Sequence, residues 1–137
     1  EVLRNSLLHV ADISNPMKPW DICSQWASCV LEEFFAQGSK MQELGMPVSN
    51  LHNSSKTDRS HSQMGFIVFI VAPLTFAFVK LLPPLAFIEE EMLANADRWM
   101  EEWLAITSPP ESEVKAMQGR LKRLKEESNL SPDPPPK

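Results

Sequence analysis

Three short segments hold the side chains that could do chemistry, and the first lies at residues 9–16. Asp12 offers a hard oxygen ligand of the kind that divalent metals prefer. Asn15 follows three residues later and would share a face with Asp12 while helical geometry persists. For Asp12 alone, a surface or helix-capping carboxylate is the simpler interpretation. His9 by itself is more typical of a packed polar residue than of a metal ligand.

The second segment, residues 62–67, combines an amide with an aromatic ring. The Gln63 side chain has one acceptor and two donors, which is the set needed to bind the edge of a purine. Phe66 lies three residues later, so its ring could stack beside whatever the amide holds. The alternative is a glutamine at a helix edge and a phenylalanine in the core.

The third segment contains the adjacent carboxylates Glu32 and Glu33. Paired carboxylates can serve acid–base chemistry. Neighbouring residues of a helix, however, point about 100° apart, so these two do not form a dyad on their own. A charged helix face is the better interpretation.

The elements that would position these segments are all helical, and the predicted class is all-α. A first helix over residues 1–14 should stop at Asn15–Pro16, because the residue before proline avoids the helical region. A second helix is predicted over residues 20–37, with Gly38 as a natural stop. Its apolar residues at helical spacing are Ile22, Trp26, Cys29, Val30 and Phe34.

The rest of the chain continues this pattern after a loop at residues 46–57. Asp58 or Ser60 should cap a strongly apolar helix that Pro73 disturbs and that residues 83–84 end. Its most apolar stretch, residues 64–79, is shorter than the roughly 20 residues of a membrane span, which favours a buried helix over a membrane segment. Another amphipathic helix follows at residues 85–105.

The C-terminal part has a different composition. Pro109–Pro110 indicates a boundary, and residues 111–127 are charged with a thin apolar stripe, which predicts a solvated or partner-facing helix. Residues 131–137 are mostly proline and should be disordered or polyproline-like.

The overall charge and the cysteines limit the classes of function. With 13 basic against 18 acidic residues, the chain does not have the composition of a nucleic-acid binder. Cys23 and Cys29 would lie about 9 Å apart along one helix, too far for a disulfide, and free thiols suit a reducing compartment such as the cytoplasm. The chain opens at Glu1 without a signal sequence or an initiating methionine, which suggests a fragment.

Taken together, these segments resemble the class I cyclic nucleotide phosphodiesterases in order and spacing. The resemblance covers roughly residues 1–104 and corresponds to the C-terminal half of the catalytic domain. The matching motifs are His9-x-Ala11-Asp12-Ile13-Ser14-Asn15-Pro16, Trp26, Glu32-Glu33-Phe34-Phe35-x-Gln37-Gly38, Gly45-Met46-Pro47, Ser62-Gln63-x-Gly65-Phe66-Ile67 and Pro73-Leu74.

The resemblance implies a multi-helical domain whose pocket holds two divalent metal ions, zinc with magnesium or manganese. It implies Asp12 as the last protein ligand of the tightly held metal and Gln63 as the amide that binds the purine. Phe66 and Val30 would clamp the two purine faces. Asn15 matches a residue often found near the base in cAMP-selective members, which favours cAMP over cGMP.

The other metal ligands of the family and its general acid, a histidine, lie upstream, so no catalytic residue is expected in this chain. Ser39, His52–Asn53 and Val68 also depart from the family pattern. We therefore expect cyclic nucleotide hydrolysis only with the missing N-terminal half. The expected division is residues 1–106 as part of the catalytic domain and 107–137 as a charged helix and tail. A catalytically incomplete binding or dimerising module is the alternative, and an unrelated helical interaction protein is a third hypothesis.

Overall fold

The computed structural model describes residues 1–128, which contain six α-helices and no strand. The helices are α1 (Val2–Asp12), α2 (Trp20–Glu43), α3 (Arg59–Phe66), α4 (Ala72–Leu81), α5 (Ala86–Ile106) and α6 (Glu111–Ser128). Short 3₁₀ turns occupy Asn15–Met17, Asn50–His52 and Pro83–Leu85. The predicted all-α class is confirmed for these residues. The expected proline-rich tail lies outside the described residues.

Helix α2 extends beyond its predicted end, and its buried face is not the one with the largest apolar residues. It continues through Gly38 to Glu43. Gly38 is buried against the backbone of the following loop, where a Cβ at Gly38 would lie 2.0 Å from the His52 carbonyl oxygen. The glycine therefore permits close packing instead of ending the helix. The apolar residues at helical spacing are not the ones that face the core. Ile22, Trp26 and Cys29 are exposed, whereas the buried residues of this helix are Cys23, Ala27, Leu31 and Gly38.

A single helical run, Arg59–Leu81, combines α3, a π-helical turn at Ile67–Val71 and α4. Proline lacks an amide N–H, and its ring clashes with the carbonyl of the residue four positions earlier. The wider π turn directly before Pro73 takes up this irregularity. The run is long and apolar enough to cross a membrane by length and composition alone, and 44% of its most apolar window is buried in the fold. It contributes Met64, Ile67 and Phe76 to the core.

Helix α5 lies at the centre of the fold. It contacts α3, α4, α6 and the Asn15–Met17 turn. Its buried face includes Met92, Trp99 and Trp103, and the Trp99 ring lies 4.6 Å from that of Trp20, measured between centroids. The first residues of α2 are thereby fixed against α5.

Helix α6 joins this core instead of standing apart in solvent. Its apolar stripe, Met117, Leu121 and Leu124, belongs to the same hydrophobic cluster as the other helices. The polar side of α6 carries exposed ion pairs such as Lys115–Glu111. The division of the chain at residues 106/107 stays a prediction.

Candidate functional site

A pocket of about 590 Å³ opens where the end of α1, the middle of α2 and the α3–π-turn segment meet. All five residues singled out from the sequence line it: Asp12, Asn15, Val30, Gln63 and Phe66. Most other lining side chains are aliphatic or aromatic. The structure thus brings together residues from three separate segments, although their roles in binding stay predictions.

The α3 helix that carries Gln63 and Phe66 is firmly anchored at its first turn. Asp58 caps it, accepting a hydrogen bond of 2.7 Å from the backbone N–H of His61, as one of the two predicted caps. Thr107 Oγ1 donates to the other Asp58 oxygen at 2.6 Å. Arg59 and Ser60 both donate to Glu102 Oε1, at 2.6 and 2.8 Å. These bonds fix α3 against α5 and so limit the movement of the pocket wall.

Gln63 is the most buried polar side chain of the pocket, with 6% of its surface exposed. Its Oε1 atom has no hydrogen-bond partner among residues 1–128. An unpaired buried amide oxygen costs about 1–3 kcal/mol. Buried polar atoms are normally satisfied, so an unpaired amide in a pocket wall points to a ligand or water that completes its bonding.

The π turn adds Phe69 and Ile70 to the pocket, and sequence reasoning missed both. Both side chains are exposed, whereas Ile67 and Val71 at the ends of the turn face the core. Single π turns are frequent at functional sites. Pro73, four residues after Phe69, was the one sequence feature that pointed to this region. A proline predicts an interruption of the helical hydrogen bonds, but it does not predict that the interruption takes the form of a π turn.

The turn that carries Asn15 is held from a distance by Asn95, another residue that sequence reasoning missed. Asn95 Nδ2 donates to the carbonyl oxygens of Pro16 at 2.8 Å and Lys18 at 2.7 Å. The bonds join residues 77 or more positions apart, so no local pattern could reveal them. The side chain of Asp12, at the end of α1, is exposed and has no ion-pair or hydrogen-bond partner within residues 1–128.

The described residues do not form a metal centre by themselves. Within residues 1–128 no three His, Cys, Asp or Glu side chains come close enough to hold a metal ion. His52 accepts or donates a hydrogen bond with Ser49 and lies against Phe34, and His61 lies against Trp103. Asp12 alone cannot hold two metals. Glu32 and Glu33 are exposed on α2 outside the pocket, in agreement with the charged-face interpretation.

Comparison with known proteins decides the family. The sequence model of the 3′,5′-cyclic nucleotide phosphodiesterases matches residues 1–92. The chain belongs to this family. It is 49% identical over 84 residues to the mouse dual specificity calcium/calmodulin-dependent 3′,5′-cyclic nucleotide phosphodiesterase 1B, covering 58% of this chain and 16% of the relative. The human 1C relative is 47% identical over 83 residues, which are 58% of this chain and 12% of that protein.

A solved phosphodiesterase structure supports the same assignment. The structure of LmjPDEB1 in complex with IBMX matches with a TM-score of 0.70 and 28% identity, covering 73% of this chain and 30% of that one. The predicted resemblance to a phosphodiesterase catalytic domain is therefore confirmed, and so is the all-α fold of part of that domain. The chain spans a small part, 16% or less, of the curated relatives named above.

Proposed function

We propose that this chain forms the nucleotide-binding part of a phosphodiesterase that hydrolyses 3′,5′-cyclic nucleotides to 5′-nucleotides in cytoplasmic signalling. The observation that carries the proposal is the convergence of Gln63, Phe66 and Val30 on one apolar pocket, with the Gln63 amide oxygen unpaired. The amide would bind the purine edge, and the ring of Phe66 and the aliphatic Val30 would cover its faces. Asn15 near the same pocket supports cAMP over cGMP.

Hydrolysis itself needs groups that the described residues do not supply. Water must add across the P–O3′ bond, which leaves a 5′-phosphate and delivers a proton to the departing 3′-oxygen. We propose Asp12 as one ligand of a two-metal site, zinc with magnesium or manganese, whose other ligands come from the missing N-terminal half of the domain. A histidine from that half would act as the general acid.

The exposed apolar faces support this need for a partner. Val2 and Leu8 on α1 are 82% and 65% exposed, and Trp26 on α2 is 57% exposed. Such surface on adjoining helices marks an interaction site. The remainder of the catalytic domain is the proposed occupant. A homodimer of an inactive binding module is the second candidate, and light scattering of the isolated chain distinguishes a defined dimer from a monomer.

Binding of cAMP and cGMP to the purified chain, measured by calorimetry, tests the nucleotide pocket. Gln63→Ala should weaken cAMP binding by about five- to 150-fold, because it removes a buried amide worth about 1–3 kcal/mol. Gln37→Ala is the matched control, since Gln37 is exposed on α2 outside the pocket. Equal affinities for the two variants would contradict the proposed role of Gln63.

Hydrolysis assays with magnesium and zinc test whether this chain needs the proposed N-terminal half for catalysis. The chain alone should not turn over either nucleotide, whereas addition of the missing half should restore activity that Asp12→Ala removes. Turnover by the chain alone, abolished by Asp12→Ala, would show that the metal site assembles from residues assigned here to the scaffold or between two chains.

A further inference from the structure

Helix α6 lies beyond the residues matched by the family, which end at residue 92, and none of its residues lines the pocket. It packs against the π turn that carries Phe69 and Ile70. Both of these residues line the pocket. A segment outside the family match therefore contacts one wall of the proposed nucleotide site.

Three sets of contacts fix α6 in place. Met117, Leu121 and Leu124 are buried in the common core. Lys125 Nζ binds both carboxylate oxygens of Asp97 on α5, at 2.7 and 2.8 Å. At the end of α6, Ser128 Oγ donates a hydrogen bond to Glu89. A helix held along its apolar stripe and at its C-terminal turns presents its remaining side chains at defined positions.

One of these side chains, Arg120, lies over the Phe69 ring. Its guanidinium carbon is 5.2 Å from the ring centroid, within the range of a cation–π contact. Phe69 is 63% exposed and its helix neighbours Ile67 and Val71 face the core, so its ring has few other contacts to hold it. Arginine suits this position because its planar group stacks on aromatic faces and remains charged.

We propose that Arg120 is a positioning residue that holds the Phe69 ring as the outer wall of the pocket, so that α6 contributes to ligand affinity without touching the ligand. The effect on affinity rests on the proposed nucleotide-binding function, whereas the position of the ring does not. Loss of the contact should weaken cAMP binding about two- to fivefold, the range expected for an exposed cation–π pair.

A double-mutant cycle on the whole 137-residue chain tests the coupling. Calorimetry with cAMP would compare Arg120→Ala, Phe69→Ala and the double variant with the unmodified chain. The two- to fivefold effect of Arg120→Ala should disappear when Phe69 is already alanine. Arg120→Lys should restore part of the affinity. Arg123→Ala is the matched control, because Arg123 is an exposed arginine of the same helix whose Nε donates to the Gly119 carbonyl oxygen of that helix.

The ring signals of Phe69 provide a readout that needs no ligand. In spectra of phenylalanine-labelled chain, assigned with Phe69→Leu, Arg120→Ala should shift the Phe69 ring resonances and Arg123→Ala should not. Unchanged Phe69 signals in Arg120→Ala would overturn the positioning role. An affinity loss of the same size in both Phe69 backgrounds would also overturn it. If the ring signals shift but the unmodified chain binds no nucleotide, the positioning role stands and the proposed function fails.

Discussion

Replacement of Asn95 by alanine should destabilise the turn that carries Asn15, although Asn95 does not line the pocket. Asn95 is 1% exposed, and its amide holds the Pro16 and Lys18 carbonyls of the turn that carries Asn15. Pro16 is buried, so its carbonyl would be left without a donor at a cost of about 1–3 kcal/mol. Lys18 is exposed and water can replace the second bond. We expect a total loss of about 2 kcal/mol, a large share of the 5–15 kcal/mol typical of a folded domain.

Urea unfolding measures this loss. With a slope of about 1–3 kcal/mol per molar for small proteins, the midpoint should fall by roughly 1 M. Asn5→Ala is the matched control, since Asn5 is an exposed residue of α1 and any gain in helix propensity is common to both variants. The Asn95 variant should also bind cAMP more weakly, although Asn95 does not line the pocket. Identical midpoints for the two variants would refute the reasoning.

Further predictions concern single glycine and cysteine positions in the helices. Gly38→Ala should destabilise the fold by about 1–3 kcal/mol, because the added methyl group would overpack against the His52 carbonyl. Gly119→Ala on α6 has open space around it and should stabilise the fold by about 0.5–1 kcal/mol. Thermal unfolding of the two variants measures both effects. Burial raises the pKa of the Cys23 thiol from 9.0 to about 11, partly opposed by the Trp99 side chain. The stability that comes from the raised pKa of Cys23 is complete below about pH 9 and is lost as pH rises through about 11. The free energy of unfolding should change by up to about 3 kcal/mol over this range, and Cys23→Ala should remove that pH dependence. At pH 8 a maleimide should modify the exposed Cys29 and leave Cys23 unreacted, and equal labelling would contradict the burial.

Four of the pocket residues lie in short sequence motifs, and Val30 was named only through the family resemblance. Asp12 and Asn15 flank a helix end, Gln63 and Phe66 lie three apart on one helix, and Val30 lies on the helix between them. Residue chemistry alone favoured ordinary structural roles for them. The resemblance to a known family supplied their convergence, and the structure brings all five to one pocket.

Helix α2 shows where periodicity fails. A helix inside a domain can have two apolar faces, and spacing does not tell which face meets the core of this chain. Cys23, Ala27 and Leu31 are small or medium residues that allow close packing, whereas the large Ile22 and Trp26 are exposed. Both large residues would be buried if the remainder of a catalytic domain covered this face. The spacing correctly predicted a helix, but it did not indicate which face of that helix packs into the described fold.

Contacts between distant segments explain what else was missed. Asn95 donates hydrogen bonds to the turn at Pro16–Lys18, which lies 77 or more residues earlier. Arg120 lies over the ring of Phe69, a residue far from it in the sequence. Neither has a local sequence signature, because an asparagine or an arginine on an amphipathic helix is ordinary in composition. The thin apolar stripe of α6 indicated a helix but not that this helix packs into the same core.

Recognition and chemistry are separable in this pocket on physical grounds. A largely apolar pocket with one buried amide can bind and orient an aromatic ring. Among residues 1–128, Asp12 is the one ionisable residue that lines this pocket, and its carboxylate would repel a phosphate instead of offsetting the phosphate charge. A neutral purine should therefore bind the chain alone about as well as cAMP, whereas the metal-containing domain proposed above should favour cAMP. If the chain alone binds cAMP much more tightly than the neutral base adenine, the pocket must contain a phosphate contact. The described residues provide no such contact, so this result would contradict the argument.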